Sequence, residues 1–140
     1  MNPRFLIPGA LAAVAALVLV LVLTAEPDVP VADLPATPTI AGSLRLEPRL
    51  PAAGDEVEVR ATLAADRPVT LRALTVRAVH YGTGESHDFP ELRDQDLGTG
   101  TREVVLSRRF DTPGEYRYYL AYLLDDRWRS LEPWEEFTIR

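Results

Sequence analysis

From Gly42 onward, apolar and polar residues alternate with a period of two. Leu44 and Leu46 alternate with Arg45 and Glu47, and Val57, Val59, Ala61 and Leu63 alternate with Glu56, Glu58, Arg60 and Thr62. Successive side chains on a strand point to opposite faces, so each run predicts a strand with one buried and one wet face. Val104, Leu106 and Phe110 continue the pattern as inward positions. The run from Tyr116 to Leu124 differs. Tyr116, Tyr118, Leu120, Tyr122 and Leu124 fall on one face, while Arg117, Tyr119, Ala121 and Leu123 fall on the other, and both sets are largely apolar. That predicts a central strand. Pro113-Gly114 stands immediately before it and predicts a tight corner, because proline presets φ and glycine tolerates a positive one.

The remaining segments supply turns and edges. Asp66-Arg67-Pro68 marks a turn, after which the alternation of Val69 and Leu71 slips so that Leu74, Val76 and Ala78 continue the inner face. A slip near Arg72-Ala73 predicts a two-against-one bulge or a strand that changes sheet. Tyr81 to Thr101 is rich in glycine and poor in apolar residues, and predicts a long connection enclosing one short edge strand. Asp125-Asp126 turns the chain back through Trp128 and Leu131. An interruption at Pro133 then precedes a last strand with Phe137 and Ile139 inward. About seven strands, turn signals every 8–12 residues or so, and no helical period predict an all-β Greek-key sandwich, with a small up-and-down barrel as the alternative.

The first 41 residues follow other rules. No charge occurs from Phe5 to Ala25, and Leu11 to Leu23 is nearly unbroken Ala, Val and Leu. At about 1.5 Å per residue a helix of this length crosses a hydrocarbon core of about 30 Å. Residues 1–25 therefore predict an N-terminal transmembrane anchor, or a cleaved secretory signal. The signal reading requires a small-x-small exit, and Leu23-Thr24-Ala25 places a leucine where a small residue belongs. Arg4 precedes the segment and Glu26, Asp28 and Asp33 follow it, which predicts export of everything after it. The expected location is the cell membrane, single-pass with the domain outside, or secreted if the segment is removed. Residues 26–41 carry Pro27, Pro30, Pro35 and Pro38 and predict an extended spacer reaching roughly 45–50 Å. The folded domain is expected over residues 42–140.

Composition narrows the function classes. The chain has 140 residues, too few for two ordinary domains once the first segment is set aside. A formal net charge of -6, with arginines interleaved among acids, argues against a nucleic-acid partner. Every basic residue is arginine. There is no cysteine, which excludes disulfides, thiolate ligands and cysteine nucleophiles. No motif for a cofactor is read in the chain.

Several segments resemble a known family. Asp111-Thr112-Pro113-Gly114-Glu115-Tyr116 resembles the tyrosine corner of immunoglobulin-like sandwiches, in which the tyrosine hydroxyl bonds backbone upstream. Together with Pro68 to Val76, His87 to Pro90, Trp128 to Pro133 and Phe137 to Ile139, it resembles the immunoglobulin-like accessory domains of exported actinobacterial proteins. The resemblance runs over nearly all of residues 40–140. It implies an exported, non-catalytic module with an immunoglobulin-like Greek-key fold. The chain departs from such proteins in showing no enzyme domain beside the module.

Candidate chemistry is sparse. Ser86-His87-Asp88 holds the residue types of a hydrolytic triad, but sequence neighbours cannot place the base between nucleophile and acid, so a polar loop is expected. His80, His87, Glu85, Asp88, Asp94 and Asp96 are metal-ligand types, and Asp94-x-Asp96-x-Gly98 matches a fragment of a calcium loop without its flanking helices. An ordinary solvated loop, and no metal site, is expected. The sharper feature is aromatic. Tyr119 on the outer face of the central strand, with Trp128 and Trp134 on the final hairpin, are the candidate ligand-binding residues, suited to stacking on sugar rings or a partner protein. The competing arrangement packs one tryptophan into the core and covers Tyr119 with its neighbours. The expected role is an anchored, non-catalytic interaction or scaffold module that binds protein, or else a carbohydrate-associated module of the cell surface.

Overall fold

The computed structural model describes residues 36–140. The anchor expected within residues 1–25 and most of the spacer lie outside the described residues. Eight antiparallel strands follow: β1 (Ile40–Glu47), β2 (Glu56–Ala65), β3 (Val69–His80), β4 (Leu92–Leu97), β5 (Arg102–Arg109), β6 (Gly114–Leu124), β7 (Arg127–Ser130) and β8 (Glu135–Ile139). They form two sheets. One has the order β1-β2-β5; the other has the order β4-β3-β6-β7, with β8 also paired to β6. This is an all-β, two-sheet immunoglobulin-like sandwich, and strands β7 and β8 share one edge of β6 as a single interrupted strand. Ile40 and Ala41 belong to β1 and pair with Ala65 and Ala64.

The core follows the alternation. Val57, Val59, Ala61 and Leu63 are buried on β2, as are Val104 and Leu106 on β5. From the facing sheet come Leu74, Val76, Ala78 and the even-numbered residues of β6, including Tyr116 and Leu120. β6 is hydrogen-bonded to β3 along one edge and to β7 and β8 along the other, which makes it a central strand of its sheet. The aromatic end of the core is an interlocked group. Tyr116 stacks on Phe137 at 5.1 Å and 14°, and Phe110 meets both rings edge-on.

Two turns are specified locally. Asp125 and Asp126 have φ of 50° and 59°, forming a two-residue hairpin between Leu124 and Arg127 whose positive dihedrals match the twist of the flanking strands. At the other end of β6, Gly114 has φ of 137°, and a Cβ there would run into the ring of His80. The slip expected near Arg72-Ala73 takes a different form from a bulge. Leu71 and Leu74 both reach the core, yet β3 and β4 keep equal residue counts. Leu71 pairs with Gln95 and Ala73 with Arg93, so Arg72 and Asp94 are skipped together. Asp94, at φ 52°, absorbs the change of face on its strand. The single short edge strand between Tyr81 and Thr101 is β4.

Tyr116 donates its hydroxyl to the Thr112 carbonyl at 2.8 Å, closing the corner before β6. Tyr116→Phe should lower unfolding free energy by ~1 kcal/mol, the net value of one hydrogen bond. Gly114→Ala should cost roughly 2–4 kcal/mol, because strain at positive φ adds to a clash with His80. Urea denaturation followed by far-UV circular dichroism measures both, and equal losses in the two variants would contradict the assignment.

Candidate functional site

The outer face of the five-stranded sheet carries the aromatic residues singled out above. On β6, Arg117, Tyr119 and Ala121 alternate with the buried set and so point away from the core. Register places Arg77 of β3 beside Tyr119, and Trp128 of β7 beside Leu123. Trp134 lies just before β8, where the chain rejoins β6. Its ring is 5.2 Å from that of Tyr119, tilted by 31°. The Arg117 guanidinium lies over Trp134 at 4.7 Å and over Tyr81 at 5.7 Å, and that of Arg77 lies over Trp128 at 5.2 Å. Cations and rings are thus interleaved along the face: Tyr81, Arg117, the Trp134–Tyr119 pair, then Arg77 and Trp128.

Neither tryptophan enters the core, which corrects the alternative of a core tryptophan. That volume is filled by Phe110, Phe137 and Tyr116. Trp128 and Trp134 are 43% and 46% exposed, among the most exposed large apolar side chains described, and Tyr119 is half-buried. Arg77, Arg117 and Tyr81 were not singled out from the sequence. Arg117 had the same parity as Tyr119, but cross-strand register alone brings Arg77 over Trp128. Arginine stacked on a ring gains cation–π attraction of about 0.5–1 kcal/mol at exposed sites and fixes the ring's orientation.

Charge on the face is unevenly matched. Tyr81 donates its hydroxyl to Glu136 at 2.6 Å, and that acceptor raises the tyrosine's pKa. Arg77 approaches Asp88 only to 3.8 Å, and the Nε atoms of Arg77 and Arg117 are buried without a hydrogen-bond partner among the described residues. Between Trp128 and Tyr119 lies a hollow of about 180 Å³, floored by Ala121 and bordered by Arg77, Arg129 and Ser130. A second groove, of about 340 Å³, opens where the β1 and β8 edges face each other, with Arg45, Arg49 and Glu135 at its rim and Tyr118 and Phe137 within it. Tyr118 donates to Glu135 at 3.0 Å.

His80 and the carboxylates of Asp88 and Asp96 make contacts within the fold. His80 is buried. Its Nδ1 accepts from the backbone N–H groups of Gly82 and Thr83 at 3.0 and 3.1 Å, and its Nε2 lies 3.0 Å from the Pro113 carbonyl. With Nδ1 accepting, Nε2 is the donor, and neither nitrogen has a lone pair left for a metal. Residues 86–89 run along β3, with His87 N–H bonded to the Ala78 carbonyl and Phe89 N–H to the Val76 carbonyl. The Ser86-His87-Asp88 run is a loop whose Asp88 faces Arg77. Asp96 accepts from Thr70 Oγ1 at 2.6 Å. Among the described residues, no three His, Asp or Glu side chains gather as a metal site would require.

The chain matches no known family profile, and no curated protein sequence matches it. Solved structures do share its fold. A β-glucosidase from Erythrobacter marinus is 9% identical with a TM-score of 0.54, over 74% of this chain and 16% of that one. An alkylpurine DNA glycosylase from Pseudomonas fluorescens, bound to DNA containing an abasic-site analogue, is 17% identical with a TM-score of 0.55, over 74% of this chain and 30% of that one. A CARDB domain from Pyrococcus furiosus, in complex with di-metal ions, is 12% identical with a TM-score of 0.48, over 77% and 92%. The chain spans less than a third of the length of each of the first two. What is shared with those first two, at these identities, is the sandwich itself.

Two measurements test this geometry. The chain has two tryptophans, both on this face. Native fluorescence should therefore be quenched by acrylamide, and Arg117→Ala and Arg77→Ala should each increase quenching by uncovering an indole. Burial, then the bond to Glu135, raises the Tyr118 pKa above its ordinary value of 10.0. Ionisation then favours the unfolded chain, so this contribution is complete below about pH 10 and is lost as pH rises further. In denaturant titrations across that range, Tyr118→Phe should lose less stability than the unsubstituted protein; equal slopes would assign the alkaline loss elsewhere.

Proposed function

We propose that the chain is a membrane-tethered, extracytoplasmic, non-catalytic interaction module that binds a protein partner through the outer face of its five-stranded sheet. The observation that carries this reading is the row of interleaved arginine and aromatic side chains, with two exposed tryptophans each set against a guanidinium group. Trp, Tyr and Arg are the residue types that dominate binding energy at protein interfaces, and side chains fixed beforehand lose less entropy on docking. The tether is supported by the uncharged run from Phe5 to Ala25 and the proline spacer after it. The non-catalytic part is supported by the employment of His80, Asp88 and Asp96 in backbone, arginine and hydroxyl contacts.

A carbohydrate-associated module is the second reading, since exposed indoles also stack on sugars. It is less favoured by the geometry, because each indole already has a guanidinium against its ring. A photo-crosslinking residue in place of Thr138, on the outer face of β8, should trap a discrete protein adduct in cells expressing the full chain. The same residue in place of Val105, exposed on the opposite sheet, should not. Adducts of equal yield at both positions, or none at Thr138, would remove the reading.

A further inference from the structure

The smaller sheet ends on two strands of unequal character. β5 carries Arg102, Glu103, Arg108 and Arg109, whereas β1 carries only Arg45 and Glu47, which pair with each other at 3.2 Å. Charged side chains are what ordinarily keep a sheet edge from pairing with another chain, and β1 has few. Its register shows which backbone groups stay unused. Asp66 N–H donates to the Thr39 carbonyl at 3.0 Å, so position 39 directs its groups at the β2 side. Along an antiparallel strand that direction alternates, and the odd-numbered residues as far as Glu47 share it. The N–H and C=O groups of Ile40, Gly42, Leu44 and Leu46 therefore point off the sheet, with no backbone partner among the described residues.

These groups are complementary to themselves in one register. About a twofold axis at Ser43, an antiparallel second β1 sets Ile40 opposite Leu46 and Gly42 opposite Leu44, and every unused group is paired. A slip of two residues either way brings Pro38 or Pro48, which lack an N–H, into the ladder. A slip of one presents groups that β2 already holds. On the exposed face the same register sets Ser43 against Ser43, Ala41 against Arg45 and Thr39 against Glu47, so no like charges meet. On the other face, glycine lies across from the half-buried Leu44.

We infer that β1 is a self-association edge, through which two copies of this chain join their smaller sheets into one of six strands, β5-β2-β1-β1-β2-β5. The inference does not draw on the outer face of the larger sheet. Because the chain has no cysteine, introduced thiols report the register directly. Opposed residues of a non-hydrogen-bonded antiparallel pair have Cα atoms about 4.5 Å apart, which a disulfide spans. In the full chain in neutral detergent, Ser43→Cys should give a disulfide-linked dimer on oxidation with copper phenanthroline. Ala41→Cys alone should not, nor Arg45→Cys, since each stands roughly 14 Å from its own copy; mixed, these two should link. Ser43→Glu, at an exposed position, should shift sedimentation from dimer toward monomer with the far-UV circular dichroism unchanged. Linkage of Ala41→Cys to itself as fast as Ser43→Cys would reduce the effect to random collision and overturn the assignment. So would the absence of a Ser43→Cys dimer, or a dimer in sedimentation that Ser43→Glu leaves intact.

Discussion

Strand β6 is the constraint on which the rest of the molecule depends. It is the strand of the larger sheet with partners along both edges over most of its length, and both of its faces carry side chains that matter. The inward set, Tyr116, Tyr118, Leu120, Tyr122 and Leu124, is buried against the other sheet. A shift of one residue would turn all five outward, so core burial pins the register. Once pinned, it also decides what the outer face shows. Arg117, Tyr119 and Ala121 face out because their neighbours face in. The candidate docking face is therefore set by the packing of the core.

The corner that starts β6 shows how polar groups are absorbed around this strand. Its parts are the Tyr116 hydroxyl on Thr112, His80 against Gly114 and Pro113, and the loop N–H groups on His80 Nδ1. Each hydrogen bond contributes about 0.5–1.5 kcal/mol net, less than the roughly 1.5–3 kcal/mol from burying a large apolar side chain. Burial drives the fold, and the corner bonds select one geometry for it. Thr75 behaves alike on β3, its hydroxyl donating to the Phe89 carbonyl at 2.8 Å and securing the loop that runs past it.

Much of this architecture was legible because alternation is a local signal. The inward sets of β2 and β5, the doubly apolar β6, the Pro113-Gly114 corner and the break at Pro133 could all be read from residue order. The change of face between Leu71 and Leu74 was also visible, but not its mechanism. A kink shared by Arg72 and Asp94 depends on a partner strand more than twenty residues away. The same limit applied to the outer face. Tyr119, Trp128 and Trp134 could be named as exposed candidates. That Trp134 meets Tyr119, and that Arg77 covers Trp128, depends on cross-strand register and on how the last strand resumes after its interruption. Phe110 and Phe137 displaced tryptophan from the core for a reason no local pattern carries: together with Tyr116 they already fill that end.

The interruption of the last strand has a consequence beyond shaping one face. β7 ends at Ser130 and β8 begins at Glu135, with Pro133 between them, so this border of the larger sheet offers no long uninterrupted row of backbone donors and acceptors. At its opposite border, β4 is six residues long and kinked at Asp94. Short, bent or proline-broken margins are poor templates for another chain's strand. The larger sheet is thereby guarded against growing into fibrils, even where many copies crowd together at high local density.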